Sequence, residues 1–126
     1  MRNALNWFEI PATDMERAVR FYERIFQVKM NTSPAGGEGY LMSMFPDGGM
    51  EGVGGALVSG EGYVPSATGT LVYLNCNPSL SAVLGRVEAA GGQIIVPMTD
   101  IGENGFFAFI IDSEGNRVGL HESAQQ

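Results

Sequence analysis

Leu5-Asn6-Trp7-Phe8-Glu9-Ile10-Pro11-Ala12-Thr13-Asp14-Met15-Glu16-Arg17-Ala18-Val19-Arg20-Phe21-Tyr22-Glu23-Arg24-Ile25-Phe26 decides how the rest of the chain is read. Residues 5–10 form an apolar, aromatic run closed by Pro11, which predicts a strand. Thr13 and Glu16 then make a T-x-x-E capping box, so a helix is expected to begin at Asp14. Met15, Ala18, Val19, Tyr22, Ile25 and Phe26 recur at intervals of three and four and give one continuous apolar stripe. Glu16, Arg17, Arg20, Glu23 and Arg24 fall on the opposite, solvated face, where each ion pair is worth about 0.3 kcal/mol.

Strand-like runs follow at residues 28–32, 39–45 and 53–59. Turn signals separate them at Pro34-Ala35-Gly36-Gly37 and Pro46-Asp47-Gly48-Gly49. Residues 60–69 are polar and glycine-rich and read as a linker. Residues 70–76 are again a strand, with Asn77 expected to cap a helix whose first position is Pro78. Leu80, Val83, Leu84 and Val87 are its apolar stripe, and Gly91-Gly92 ends it. Further strands fall at 93–97, 106–111 and 117–121, the last two joined by Asp112-Ser113-Glu114-Gly115-Asn116. Both halves therefore read β-α-β-β-β, an internal repeat with helix starts at Asp14 and Pro78.

The chain has 126 residues, enough for one domain, with 7 basic and 14 acidic side chains and a net charge of −7. Five of the seven bases lie in residues 1–29 against four acids, leaving residues 30–126 strongly acidic. That balance predicts no nucleic-acid partner. One cysteine and one histidine exclude disulfide frameworks and cysteine- or histidine-rich metal sites. No apolar run approaches the length of a membrane span, so no membrane partner is expected. The opening Met1-Arg2-Asn3-Ala4-Leu5-Asn6 lacks a signal peptide's apolar stretch, which with a free Cys76 predicts a cytoplasmic protein.

The sequence resembles the vicinal oxygen chelate superfamily, which holds glyoxalase I, bleomycin-resistance proteins and extradiol dioxygenases. The resemblance rests on residues 14–22 after a first strand, on Val87-Glu88-Ala89-Ala90-Gly91-Gly92, and on Phe109-Ile110-Ile111-Asp112-Ser113-Glu114-Gly115-Asn116-Arg117-Val118. It implies an α+β fold of two tandem βαβββ modules, about 1–60 and 69–123. Their curved mixed sheets would enclose a central cavity with helices outside, and two chains would pair as a homodimer.

The resemblance also implies a metal ligand near the start of each module's first strand and a Glu on each last strand. Counting from Phe21-Tyr22, the first position holds Trp7, and its second-half equivalent is Leu71. The late position is Gly119 in the second half, and residues 54–57 in the first half contain no carboxylate. None of these is a ligand for a hard divalent ion, so no metal and no other cofactor is expected.

Alternation along strands puts Trp7 with Glu9, Leu71 with Tyr73 and Asn75, and Gly119 with Arg117 and His121 on the cavity side. Phe8, Ile10, Val72, Leu74, Cys76, Val118 and Leu120 are left to pack beneath the helices. Glu9, inside an apolar strand, reads either as a general base or as a structural carboxylate bonded to amides or an arginine. His121 reads as a proton-transfer partner or as a surface histidine near the chain end. Arg117 would clamp a ligand anion, or pair with Asp112 or Glu114. Trp7, Tyr73 and Asn75 suit a cavity lining, although Trp7 also suits a core. Tyr40, Met42 and Met44 share one strand face and are read as core filler ahead of pocket lining. Cys76 is expected to be an inert buried thiol. Gly52-Val53-Gly54-Gly55 is read as a strand that another element approaches closely.

The function expected is metal-independent binding of a small organic molecule between the modules, for sequestration, resistance or sensing. The alternatives are a lyase or isomerase with Glu9 and His121 as catalytic groups, and a dimeric interaction protein with a vestigial cavity.

Overall fold

The computed structural model describes residues 3–34, 37–46 and 52–124. Two βαβββ modules follow one another. The first is β1 (Trp7–Pro11), α1 (Met15–Phe26), β2 (Asn31–Pro34), β3 (Leu41–Met44) and β4 (Gly54–Ser59). The second is β5 (Tyr73–Asn75), α2 (Leu80–Ala90), β6 (Gln93–Asp100), β7 (Phe106–Ile111) and β8 (Arg117–Glu122), with a 3-10 turn at Gly102–Asn104. Each module folds into a four-stranded mixed sheet, ordered β1-β4-β3-β2 and β5-β8-β7-β6, with its first strand parallel to its last. This is the α+β repeat expected from the sequence.

The helix starts differ from the expectation. Asp14, not Thr13, is the N-cap of α1, its carboxylate accepting from the Arg17 amide at 3.1 Å. Ser79, not Asn77, caps α2, accepting from the Ala82 amide, so Pro78 lies ahead of the helix. β2 begins at Asn31 rather than Val28, and β5 is confined to three residues. The two turn signals at 34–37 and 46–49 fall partly outside the described residues, as do Met1 and Arg2.

One core joins both modules. Met15, Ala18, Phe21, Tyr22 and Ile25 of α1 meet Leu80, Val83 and Val87 of α2, and beneath them lie Ile10, Leu57, Ala108, Ile110, Val118 and Leu120. Full burial of each large side chain contributes about 1.5–3 kcal/mol.

The link between modules is the turn 112–116. The Glu114 carboxylate, 1% exposed, accepts from the Thr13 and Asp14 amides at 2.8 Å each and pairs with the Arg17 Nε at 2.6 Å. It thereby satisfies amide donors at the start of α1, where the helix dipole also favours an anion. Beside it, the Tyr22 hydroxyl donates to Asp112 at 2.7 Å, and the Asn116 amide donates to the Pro11 carbonyl at 2.8 Å. Burial, together with Asp112, holds the Tyr22 hydroxyl well above the ordinary tyrosine value. At the helices' other end Arg86 and Arg24 donate to the carbonyls of Ile25 and Ala89.

Burial works to raise the Glu114 pKa, but the Arg17 hydrogen bond and the two amides outweigh it and leave the value lowered. The folded state thus favours the ionised form. Its contribution is complete above the ordinary carboxylate value of 4.5 and is lost as pH falls through the lowered folded value. Urea unfolding across that window is therefore expected to show a steeper acid loss of stability in the native protein than in Glu114→Gln. At neutral pH Glu114→Ala should cost about 2 kcal/mol, since it strands amides at a helix start.

Candidate functional site

Strand alternation divides each sheet into a face under the helices and a helix-free face. Phe8, Ile10, Val72, Leu74, Cys76, Val118 and Leu120 all lie in the core or pack against it. Trp7, Glu9 and Tyr73 lie on the other side and are exposed, with Trp7 at 39% and Tyr73 at 50%.

The first strands sit over glycines. Trp7 is the register partner of Gly54 and Phe8 of Gly55. A Cβ on Gly54 would lie 3.2 Å from the Trp7 ring, and one on Gly55 would fall into the Phe8 ring. Two consecutive glycines therefore admit two rings on opposite faces of one sheet, the close approach expected of Gly54-Gly55. In the second module Tyr73 is the register partner of Gly119, where a Cβ would come within 2.6 Å of the Tyr73 ring. The counterpart of Trp7 is thus Tyr73 and not Leu71, which lies outside β5. The Tyr73–Gly119 register fixes this correction, and the helix starts account for one residue of it, since Met15 and Leu80 stand 65 apart where Asp14 and Pro78 stand 64 apart.

The four positions at which the resemblance implied metal donors are consequently Trp7, Gly54, Tyr73 and Gly119. An indole and two glycines offer no donor side chain, and a lone phenol does not make a site for a hard cation, so the residues present do not fit a metal. Among the described residues no three His, Cys, Asp or Glu side chains gather to hold an ion.

Glu9 is exposed rather than desolvated. Its Oε1 accepts from the Tyr63 hydroxyl at 2.8 Å and its Oε2 from the Trp7 Nε1 at 3.2 Å. This hydrogen bond holds the Tyr63 hydroxyl above the ordinary tyrosine value. Tyr63 comes from the linker and packs edge-on against Tyr40, with ring centroids 6.2 Å apart. Met42 and Met44 are on this same helix-free face, not in the core. Their strand neighbour Ser43 is the fully buried residue, bonded to Thr32 at 2.9 Å.

On the second sheet Tyr73 and Phe109 lie 5.9 Å apart, Phe107 and Phe109 5.1 Å apart, and the Arg117 guanidinium stands 5.8 Å from the Phe109 centroid. Arg117 pairs with neither Asp112 nor Glu114, whose partners are Tyr22, Asn116 and Arg17. His121 is half-buried within β8, opposite Phe107 and Asn75, with Nε2 2.7 Å from the Asn104 carbonyl. Glu9 and His121 are on different sheets and share no hydrogen bond among the described residues. Asn75 Oδ1 accepts from the Asn77 amide at 2.8 Å. Cys76 is buried, its thiol pushed up to about 12 by desolvation, as suits an inert thiol.

Two cavities flank Val72 where the modules meet. The larger, about 410 Å³, is mostly apolar, walled by Leu5, Phe8, Phe45 and Val53 from one module and Val72, Tyr73 and Leu74 from the other, with Asn75 and Asn77 at its polar edge. The smaller, about 220 Å³, lies between β1 and the linker and is bordered by Glu9, Thr68, Thr70, Val72 and Arg117. Tyr73 and Asn75 thus belong to one cavity, and Glu9 and Arg117 to the other. Trp7 and His121 border neither.

Comparison with known proteins bears on this geometry. Residues 4–120 match the sequence model of the Glyoxalase/Bleomycin resistance protein/Dioxygenase superfamily. The chain is 31% identical over 131 residues to "Putative glyoxylase CFP32" of Mycobacterium bovis and of Mycobacterium tuberculosis, covering 94% of this chain and 45% of theirs. It therefore spans less than half the length of the curated relatives it matches. Among solved structures, the fosfomycin resistance protein FosX of Listeria monocytogenes superposes with a TM-score of 0.66 at 13% identity, covering 100% of this chain and 95% of that one. A glyoxalase I mutant from Zea mays superposes with a TM-score of 0.65 at 19% identity, covering 92% of this chain and 44% of that one. Both share the fold.

The glycine pairs give a direct test, because Trp7 is the single tryptophan. Gly55→Ala must displace the half-buried Phe8 ring and is expected to lower stability by about 1–3 kcal/mol in urea unfolding. Gly54→Ala pushes an exposed ring, so it should shift tryptophan emission while costing less than about 1 kcal/mol.

Proposed function

The chain belongs to the Glyoxalase/Bleomycin resistance protein/Dioxygenase superfamily, and from that premise we propose that it binds a small, largely apolar organic molecule between its modules without a metal. The observation that carries this reading is the inter-module cavity of about 410 Å³, within the usual range of roughly 300–1,000 Å³ for small-molecule sites. Phe8 and Phe45, 5.6 Å apart, offer an aromatic wall for a flat ligand, and Tyr73, Asn75 and Asn77 offer polar contacts at the edge. Sequestration, resistance or sensing follows from binding alone.

Proton abstraction by Glu9 has less to support it. Both carboxylate oxygens already accept hydrogen bonds, and His121 is engaged with Asn104 elsewhere. The same reading takes the protein as a cytoplasmic homodimer, supported by an unpaired Cys76 and by the exposed apolar area of Trp7, Met44 and Tyr73.

A thermal-shift panel of small aromatic and heteroaromatic compounds tests the proposal. A compound present at about 100 times its Kd stabilises the native state by about 2.7 kcal/mol and raises Tm accordingly. Val53→Trp, which fills the cavity from one wall, is expected to abolish the shift while leaving the far-UV spectrum unchanged. Equal shifts in the native protein and in Val53→Trp would place the ligand elsewhere and contradict the reading.

A further inference from the structure

Arg117 stands apart from the other described arginines. Arg17 is bound to Glu114, Arg20 to Glu16, Arg24 to the Ala89 carbonyl and Arg86 to the Ile25 carbonyl. Among the described residues, Arg117 is the one arginine whose guanidinium makes neither a hydrogen bond nor an ion pair, although acids outnumber bases two to one in this chain. It is half-buried, yet no unpartnered side-chain nitrogen is sealed from solvent among the described residues, so its donors stay open to a ligand. Its placement is fixed nonetheless. The Arg117 amide donates to the Ser66 carbonyl at 3.2 Å, and its guanidinium stacks against Phe109, which leaves the in-plane donors open.

Arg117 borders the smaller cavity, about 220 Å³, which is too small for a peptide or polynucleotide segment. Its walls combine the Thr68 and Thr70 hydroxyls with the apolar surfaces of Pro11, Val64 and Val72. Glu9 borders it too, its carboxylate held in place by Tyr63 and Trp7. One cation and one held carboxylate suit a monoanion, because a second negative charge would find no second cation in the lining and would add repulsion from Glu9.

We propose that this cleft is a second ligand site, which takes a small organic monocarboxylate with a short apolar tail. The carboxylate forms a two-hydrogen-bond pair with the Arg117 guanidinium. The tail lies against Val64, Val72 and Pro11, and Glu9 selects against dianions. The cleft shares Val72 alone with the lining of the larger cavity and does not depend on what that cavity binds.

Calorimetric titration of the intact chain with butyrate and benzoate, their isosteric amides, and inorganic phosphate tests the assignment. Both acids should bind saturably and about tenfold or more tighter than butyramide and benzamide. Arg117→Gln should remove that preference, Arg117→Lys should keep part of it, and Glu9→Gln should strengthen acid binding severalfold. If Arg117→Gln does not fold, Arg117→Lys and Glu9→Gln still decide the outcome. Val53→Trp should leave acid binding unchanged. The proposal is overturned if acids and amides bind alike, if phosphate binds more tightly than the acids, if Glu9→Gln weakens binding, or if Val53→Trp abolishes it.

Discussion

A single carboxylate, that of Glu114, sets the relation between the two halves of the molecule. It is 1% exposed, and its desolvation is offset by Arg17 and by the amides that open α1. The residues around it repeat the pattern. Asp112 accepts from the buried Tyr22 hydroxyl, and Asn116 reaches the Pro11 carbonyl, so one turn of the second module closes the strand-to-helix connection of the first. Both cavities open at the junction that this turn fixes, and Asn116 itself borders the smaller one. The same Asn116 side chain accepts from the Ser66 amide, which ties the linker to the clasp and places Arg117 beside it.

The second constraint is the pairing of an aromatic ring with a glycine at equivalent points of both sheets. Trp7 lies over Gly54 and Tyr73 over Gly119. At each point the ring takes the room that a side chain on the last strand would use. The positions that would otherwise project donors from neighbouring strands instead carry flat, weakly polar surfaces. The same fold can therefore present different side-chain chemistry at these points.

Much of the fold was legible because it is written in local periodicity. The α1 stripe, the glycine ending α2 and the inward and outward parities of the first, fifth and eighth strands all follow from spacing of three to four or of two. Boundaries that depend on distant partners were not legible. Thr13 and Asp14 are both good caps, and the choice of Asp14 goes with the Thr13 amide being bound by Glu114, a hundred residues away. The caps at Asp14 and Ser79, rather than Thr13 and Asn77, lengthen the repeat by one residue, and the long-range pairing of Tyr73 with Gly119 puts Tyr73 where the count had Leu71. The methionines misled for a related reason. Ser43 occupies the core side of its strand because Thr32 satisfies its hydroxyl, which turns Met42 and Met44 outward. Glu9 found its partner in Tyr63, on a linker whose path has no periodic signal. The candidate site was therefore legible as a set of residues sharing a parity. Its division into two cavities, with Arg117 unpaired in one, depends on the junction between modules.

Trp7, Gly54, Tyr73 and Gly119 offer no donor set for a hard cation at the positions where the resemblance implied one. The most direct measurement is metal content per chain after equilibration with zinc, nickel, manganese and magnesium ions and passage through a desalting column. No stoichiometric retention of any of them is expected. One ion held per chain, and released by Tyr73→Phe, would contradict it.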